Sequence, residues 1–176
     1  MRPLASLTAF ALTAVLSVPL ALAQKMDNND AAAMKQLAQA NLNEIEAGKL
    51  GAAKAQNPDI KQFAQKLADD NARMLEDLKS LAKRKDVALP DKAALKDLAQ
   101  LKILERKSGA DFDREFMEQM VKEHDKAVKE TNAVAAKAKD PDFKFAAQQA
   151  SRRIETNLQL AQRISMSAAA GSSIRK

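Results

Sequence analysis

The chain contains no cysteine, no tryptophan and no tyrosine, and it has a single histidine. Without cysteine there is no disulfide, no thiolate nucleophile and no thiolate metal site. A lipoprotein is excluded too, because its lipid needs a cysteine at the cleavage point. Four glycines and five prolines among 176 residues leave few breakers. They form neither a phosphate-cradling loop nor a dinucleotide fingerprint. The only aromatics are six phenylalanines, and those after the N-terminal stretch fall mostly on apolar stripes. They are not interleaved with Lys and Arg as single-strand nucleic-acid binding requires, so nucleic acid is not an expected partner.

Long apolar runs are equally scarce. The one present opens the chain, MRPLASLTAFALTAVLSVPLALAQ. Arg2 supplies a positive start, Leu4 to Val18 is uncharged and apolar, Pro19 breaks the helix, and Ala21-Leu22-Ala23 is a small-x-small cleavage site. The pattern predicts a secretory signal peptide over residues 1–23, cleaved after Ala23, and a periplasmic or secreted protein. No later segment is apolar enough to span a membrane. The rest, from Gln24, has the size of one domain able to bury a core without covalent staples. Loss of Arg2 lowers the net charge from +6 to +5. The charges are interspersed and read as a solvated surface. The excess of positive charge is compatible with weak binding to anionic envelope polymers.

What the chain does have is Ala, Lys, Leu, Gln, Asp and Glu in quantity, an all-α composition. The few breakers divide it. Asn57-Pro58 and Asp140-Pro141 each supply an N-cap followed by proline at the first helical position. Val87 to Asp91 is a short link, and Ser108-Gly109 is another, with Ser108 and Asp111 resembling a capping pair. Five helices are predicted, at residues 30–55, 58–84, 91–106, 111–138 and 141–167. Residues 24–167 form the bundle domain in this reading, and residues 168–176 a flexible tail.

One phrase occurs twice. AAKAQNPDIK at residues 52–61 returns as AAKAKDPDFK at residues 135–144, seven of ten positions identical at an offset of 83. Both copies are corners of helical hairpins. Two hairpins joined by a long connection, with the short helix inside it, predict a ferritin-like four-helix bundle with a crossover. Duplication of a hairpin and convergence on one good corner both account for the repeat.

The apolar stripes support this. Ile60, Phe63, Leu67, Met74, Leu78 and Leu81 recur at helical steps. So do Phe116, Met120, Ala127, Thr131 and Val134, and then Phe143, Ala147, Ala150, Ile154, Ala161 and Ile164. Polar residues interrupt them at Asn71, His124 and Asn157, and Leu37, Asn41, Glu44 and Gly48 make a face on the first helix. Buried polar groups need partners. Asn41, Glu44, Asn71, His124 and Asn157 are therefore expected to meet as a hydrogen-bonded cluster.

In such a bundle the sharper reading is a di-metal site, which needs Glu-x-x-His on two helices. Val121 stands three residues before His124, so that pattern fails. A mononuclear metal site with His124 and Glu44 as ligands, and Glu123 beside them, is the remaining metal reading. The structural reading has His124 hydrogen-bonded to Asn71, Asn157 or Glu44. A Ser-His-Asp triad would need His124 at an interior mid-helix position, which argues against an enzyme. Met74, Met117 and Met120 share stripes with Leu and Phe and read as core filler.

Taken together, NLNEIEAGKLGAAKAQNPDIKQFAQKLADDN (41–71), VALP (87–90), SGADFDREFMEQMVKEHDKAV (108–128) and DPDFKFAAQQASRRIETNLQLAQ (140–162) resemble the bacterial family called domain of unknown function 4142. The resemblance implies an exported protein with a ferritin-like helical fold. It also implies an acidic residue at Glu44 and histidines at three positions that fall here on Asn71, His124 and Asn157. Two of the three are Asn, a poorer transition-metal ligand than His. The family carries no settled activity. The resulting expectation is an exported, non-catalytic bundle with a binding or structural role in the cell envelope or stress response and no resident cofactor. Its alternatives are a metal-binding or redox protein using His124 and Glu44, and a basic-surface module for anionic envelope components. A homodimer is compatible with the pattern, although no helix face shows a decisive apolar surplus.

Overall fold

Each proline corner does what its sequence demands. Asn57 Oδ1 accepts from Asp59 N at 2.8 Å, and Asp140 Oδ1 accepts from Phe143 N at 3.0 Å. Side-chain caps of this kind satisfy amides that a helix start leaves open. The structure, a computed structural model, describes residues 26–173 and has α1 (Asn28–Lys54), α2 (Pro58–Arg84), α3 (Leu95–Glu105), α4 (Gly109–Lys137) and α5 (Pro141–Ser173). The expected signal peptide, residues 1–23, lies outside the described residues.

α1 pairs with α2 and α4 with α5 as two antiparallel hairpins. The carboxylate of Asp113, near the start of α4, accepts from Gln56 N at 3.0 Å and Asn57 N at 2.8 Å, at the corner where α1 ends. Asp30, near the start of α1, accepts from Lys139 N at 2.9 Å and Asp140 N at 2.7 Å, at the corner where α4 ends. α1 and α4 therefore run antiparallel, and the connection from α2 to α4 crosses the length of the bundle. This is the ferritin-like arrangement with a short helix in the crossover.

α2 ends in a left-handed turn. Asp86 has φ 53°, and Val87 N reaches back to Ala82 O at 2.9 Å, which closes the last turn in the six-to-one manner. Lys85 then ties this end to α5 through Asp140 at 2.7 Å and Asp142 at 3.0 Å.

Three local expectations are corrected. α3 begins at Leu95 rather than residue 91. Side chains of α1 hold the preceding backbone extended: Gln39 Nε2 donates to Lys92 O at 3.0 Å, and Ala94 N donates to Asn43 Oδ1 at 3.0 Å. Ser108 occupies the N-cap of α4 but makes no side-chain cap bond. Gly109 follows it with φ +59°, a left-handed conformation that glycine adopts without strain. α5 runs to Ser173, past the end expected at residue 167, because Ala168-Ala169-Ala170 extends a helix at little cost.

Glycine is required where α1 meets α2. A Cβ on Gly48 would lie 2.7 Å from Ala64 O and 2.8 Å from Ala68 N, and one on Gly51 would lie 2.5 Å from Phe116 Cζ. The two helices approach that closely because α1 presents glycine to Ala64 and Ala68.

Two apolar clusters fill the interior. One contains Ile60, Phe63, Leu67, Phe112, Phe116, Met120 and Ile164, at the end that holds the α1–α2 corner. The other contains Met34, Ala38, Leu75, Leu78, Leu81 and Phe143, at the end that holds the α4–α5 corner. Along every helix of the bundle the polar interruptions fall between them.

Candidate functional site

At this waist the helices surround a partly open cavity of about 130 Å³, with exposed Gln36 and Glu130 on its edge. Asn41 and Glu44 from α1, Asn71 from α2, His124 from α4 and Asn157 from α5 all line it, with Leu37, Met74, Thr131 and Ile154 around them. Helical spacing brings them to one level: each sits on its helix's inward face at the height where the others cross. Gly48, the fourth member of the α1 face, packs against α2 instead.

The expected mutual hydrogen bonds are absent among the described residues. Asn71 donates through Nδ2 to Leu67 O at 2.9 Å, and His124 Nδ1 lies 2.9 Å from Met120 O. Both polar groups turn back to the carbonyl one turn earlier on their own helix. That choice follows from the cavity: with open space between the helices, the nearest partner of each side chain is its own backbone.

The consequence is chemical. A carbonyl oxygen only accepts, so the His124 bond to Met120 O places the proton on Nδ1 and a lone pair on Nε2. Asn71, having used its amide nitrogen, keeps Oδ1 as an acceptor. Burial holds the His124 pKa below its ordinary value, against the opposing hydrogen bond to Met120, so the ring is neutral at pH 7. The Phe63 ring lies 6.4 Å from the imidazole, centre to centre, and tilts 56° to it.

Glu44 is half-buried as a residue, but its Oε2 is buried without a hydrogen-bond partner. Desolvation, with a smaller contribution from the charge of Glu123, pushes its pKa up to about 8. Glu123 itself accepts from Gln119 Nε2 at 2.9 Å. Among the described residues, no group of three or more His, Cys, Asp or Glu side chains is placed to hold a metal ion. Glu44, His124 and Glu130 are the metal-type side chains that line this cavity, Glu130 at its exposed edge beside Lys126 at 3.5 Å, and the three Asn side chains, Gln36 and Thr131 are further oxygen donors around it.

A second cavity, of about 350 Å³, adjoins the first. It shares Leu37, Asn41 and Met74 with it and runs between α2 and α5 past Leu78, Leu81, Ala146 and Ala150 to Phe145. Phe145 is 59% exposed, unlike the buried Phe143 two residues before it. Other acidic and basic groups lie outside these cavities or on their rim. Asp70 pairs with Lys66 and Asp125 with Lys129, and Arg152 and Arg153 are exposed. Asp30 and Asp113 were not singled out from the sequence, although the offset of 83 that relates the two corners also relates these two residues.

The family model described as Domain of unknown function (DUF4142) matches residues 16–164 of the chain. No curated protein matches it. Among solved structures, the crystal structure of a DUF305 fragment from Deinococcus radiodurans is similar, with a TM-score of 0.70 and 11% sequence identity over 80% of this chain and 97% of that one. At that identity the likeness is one of fold.

Proposed function

For a chain that belongs to the DUF4142 family, a domain of unknown function, we propose binding rather than catalysis. The protein is an exported, non-catalytic helical bundle of the cell envelope that holds a small hydrogen-bond-donating cation in the waist cavity. Export rests on the N-terminal pattern of Arg2, the apolar run and Ala21-Leu22-Ala23.

The observation that carries the binding reading is the buried, unpartnered Oε2 of Glu44. A buried polar atom without a partner is costly, and a carboxylate more so. His124 Nε2 and Asn71 Oδ1 are two further acceptors among the side chains that line the cavity, from α4 and α2. A site rich in acceptors selects a donor. A primary ammonium group carries one positive charge and three N–H donors, which matches the imidazole nitrogen, the amide oxygen and a Glu44 carboxylate that gives up its proton as the cation enters, since a pKa of about 8 keeps the empty site protonated at pH 7. The cavity has room for several non-hydrogen atoms. Catalysis is disfavoured because His124 is oriented by a backbone carbonyl rather than a carboxylate, and it makes no hydrogen bond to the Thr131 hydroxyl of the same cavity.

The test is titration of the purified protein with ethylammonium and with ethanol as the uncharged counterpart, followed by calorimetry and thermal shift. Ethylammonium should bind and raise Tm, ethanol should not, and Glu44→Gln should abolish the difference. Equal responses to both, or an undiminished response in Glu44→Gln, would remove the reading. Zinc or manganese bound stoichiometrically and lost in His124→Ala would install the metal reading in its place.

A further inference from the structure

The polar cavity is one end of a longer space. Its apolar continuation adjoins it at Leu37, Asn41 and Met74, follows the Leu78 and Leu81 side of α2, and opens beside Phe145. The groove exists because α5 presents Ala146 and Ala150 opposite those leucines. Two small residues leave unfilled the volume that larger ones would occupy. From Asn71 to Leu81 the helical rise spans ~15 Å.

The charges sort along this length. The inner end has Glu44 and, at its edge, Glu130 beside Lys126, with the charge of Glu123 acting on Glu44. The outer rim is mixed: Arg84 and Arg153 face the same groove as Asp77 and Asp142, and Asp142 is already paired with Lys85. An occupant is therefore favoured when its positive, donating end lies inward and its middle is apolar. The rim asks for no charge of either sign.

We infer that the ligand is an amphiphilic amine, whose ammonium group sits among Glu44, His124 and Asn71 and whose unbranched apolar chain lies in the groove between α2 and α5. This rests on the reading of the waist cavity as an ammonium site and extends it to a ligand class. Phe145, exposed at the mouth, covers the outer part of the chain.

A series of n-alkylammonium ions from ethyl to octyl, titrated below their aggregation concentrations, tests it. Burial of a methylene contributes enough for about a fourfold gain in affinity. The affinity should climb by roughly that factor per methylene until the groove is full. Ala146→Phe fills the groove from a half-exposed position. It should flatten the series while leaving ethylammonium unchanged. Phe145→Ser, at an exposed site that does not threaten the fold, should weaken only the longest members.

If ethylammonium binds and octylammonium binds no tighter, the groove is not part of the site and the inference falls while the ammonium site stands. An octanoate that matches octylammonium would also overturn it, since the head group would then not matter. If no ammonium ion binds, both readings fall.

Discussion

Asp30 and Asp113 stand 83 residues apart and do the same thing at opposite ends of the bundle. Each projects from the first turns of one hairpin and accepts two consecutive backbone N–H groups at the proline corner of the other, Asp30 from Lys139 and Asp140, Asp113 from Gln56 and Asn57. The hairpins therefore clasp one another reciprocally. Neither corner could satisfy these amides locally, because each N–H lies past the end of one helix and before the proline of the next.

Removing either clasp should be costly. Asp113→Ala leaves two half-buried amides open and should destabilise by about 2–3 kcal/mol, with Asp30→Ala similar. Because the two sites are a bundle length apart, the double variant should lose the sum to within about 0.5 kcal/mol. Urea unfolding of the three variants checks both statements. A double variant no worse than either single one would show that the ends are not independent.

Gly48 and Gly51 set the α1–α2 distance. Gly48→Ala brings a methyl onto the backbone of Ala64 and Ala68, which cannot give way as a side-chain tip could. A loss of about 2–3 kcal/mol is expected despite the better helix propensity of alanine. Chemical denaturation measures it, and a stabilised Gly48→Ala would mean that the helices slide apart freely.

Glu44 makes stability fall with rising pH. Its folded pKa, about 8, lies above the unfolded value of 4.5. The contribution is fully present below pH 4.5 and is lost as pH climbs through about 8. His124 acts on the acid side. Its folded pKa is lowered from 6.5, so its contribution is present above pH 6.5 and is lost as pH falls through the folded value. Glu44 keeps part of its surface in water, so the loss between pH 5 and pH 9 should be on the order of 2 kcal/mol, below what full burial implies. Glu44→Gln should flatten the basic side and leave the acid side. Denaturation at pH 5, 7 and 9 reads this directly.

Much of this architecture was legible from local signals. Asn57-Pro58 and Asp140-Pro141 marked the corners because capping chemistry is decided within three or four residues. The stripe from Ile60 to Leu81 marked the inward face of α2. The helical steps through Asn71, His124 and Asn157 picked residues that do line one cavity. What stayed hidden depends on distant parts of the chain. The late start of α3 is set by Gln39 and Asn43, more than fifty residues earlier. The turning of Asn71 and His124 back to their own helices depends on the width of the gap between helices, which no single helix encodes. The groove arises from Ala146 and Ala150 facing Leu78 and Leu81, a pairing that only the packing of α2 on α5 creates. Asp30 and Asp113 were accessible, had the offset been carried beyond the ten repeated residues.

The polar waist divides the interior into two half-cores, each anchored by one clasped corner. Cooperativity between them passes mainly along the helix backbones, since Asn41, Asn71, His124 and Asn157 make no side-chain bridge across the gap. The expected outcome is that one end opens while the other stays closed, as a separate foldon. Hydrogen exchange would then report two protection levels in one bundle. A ligand that filled the waist would do more than occupy a site: it would weld two loosely coupled halves into a single cooperative unit.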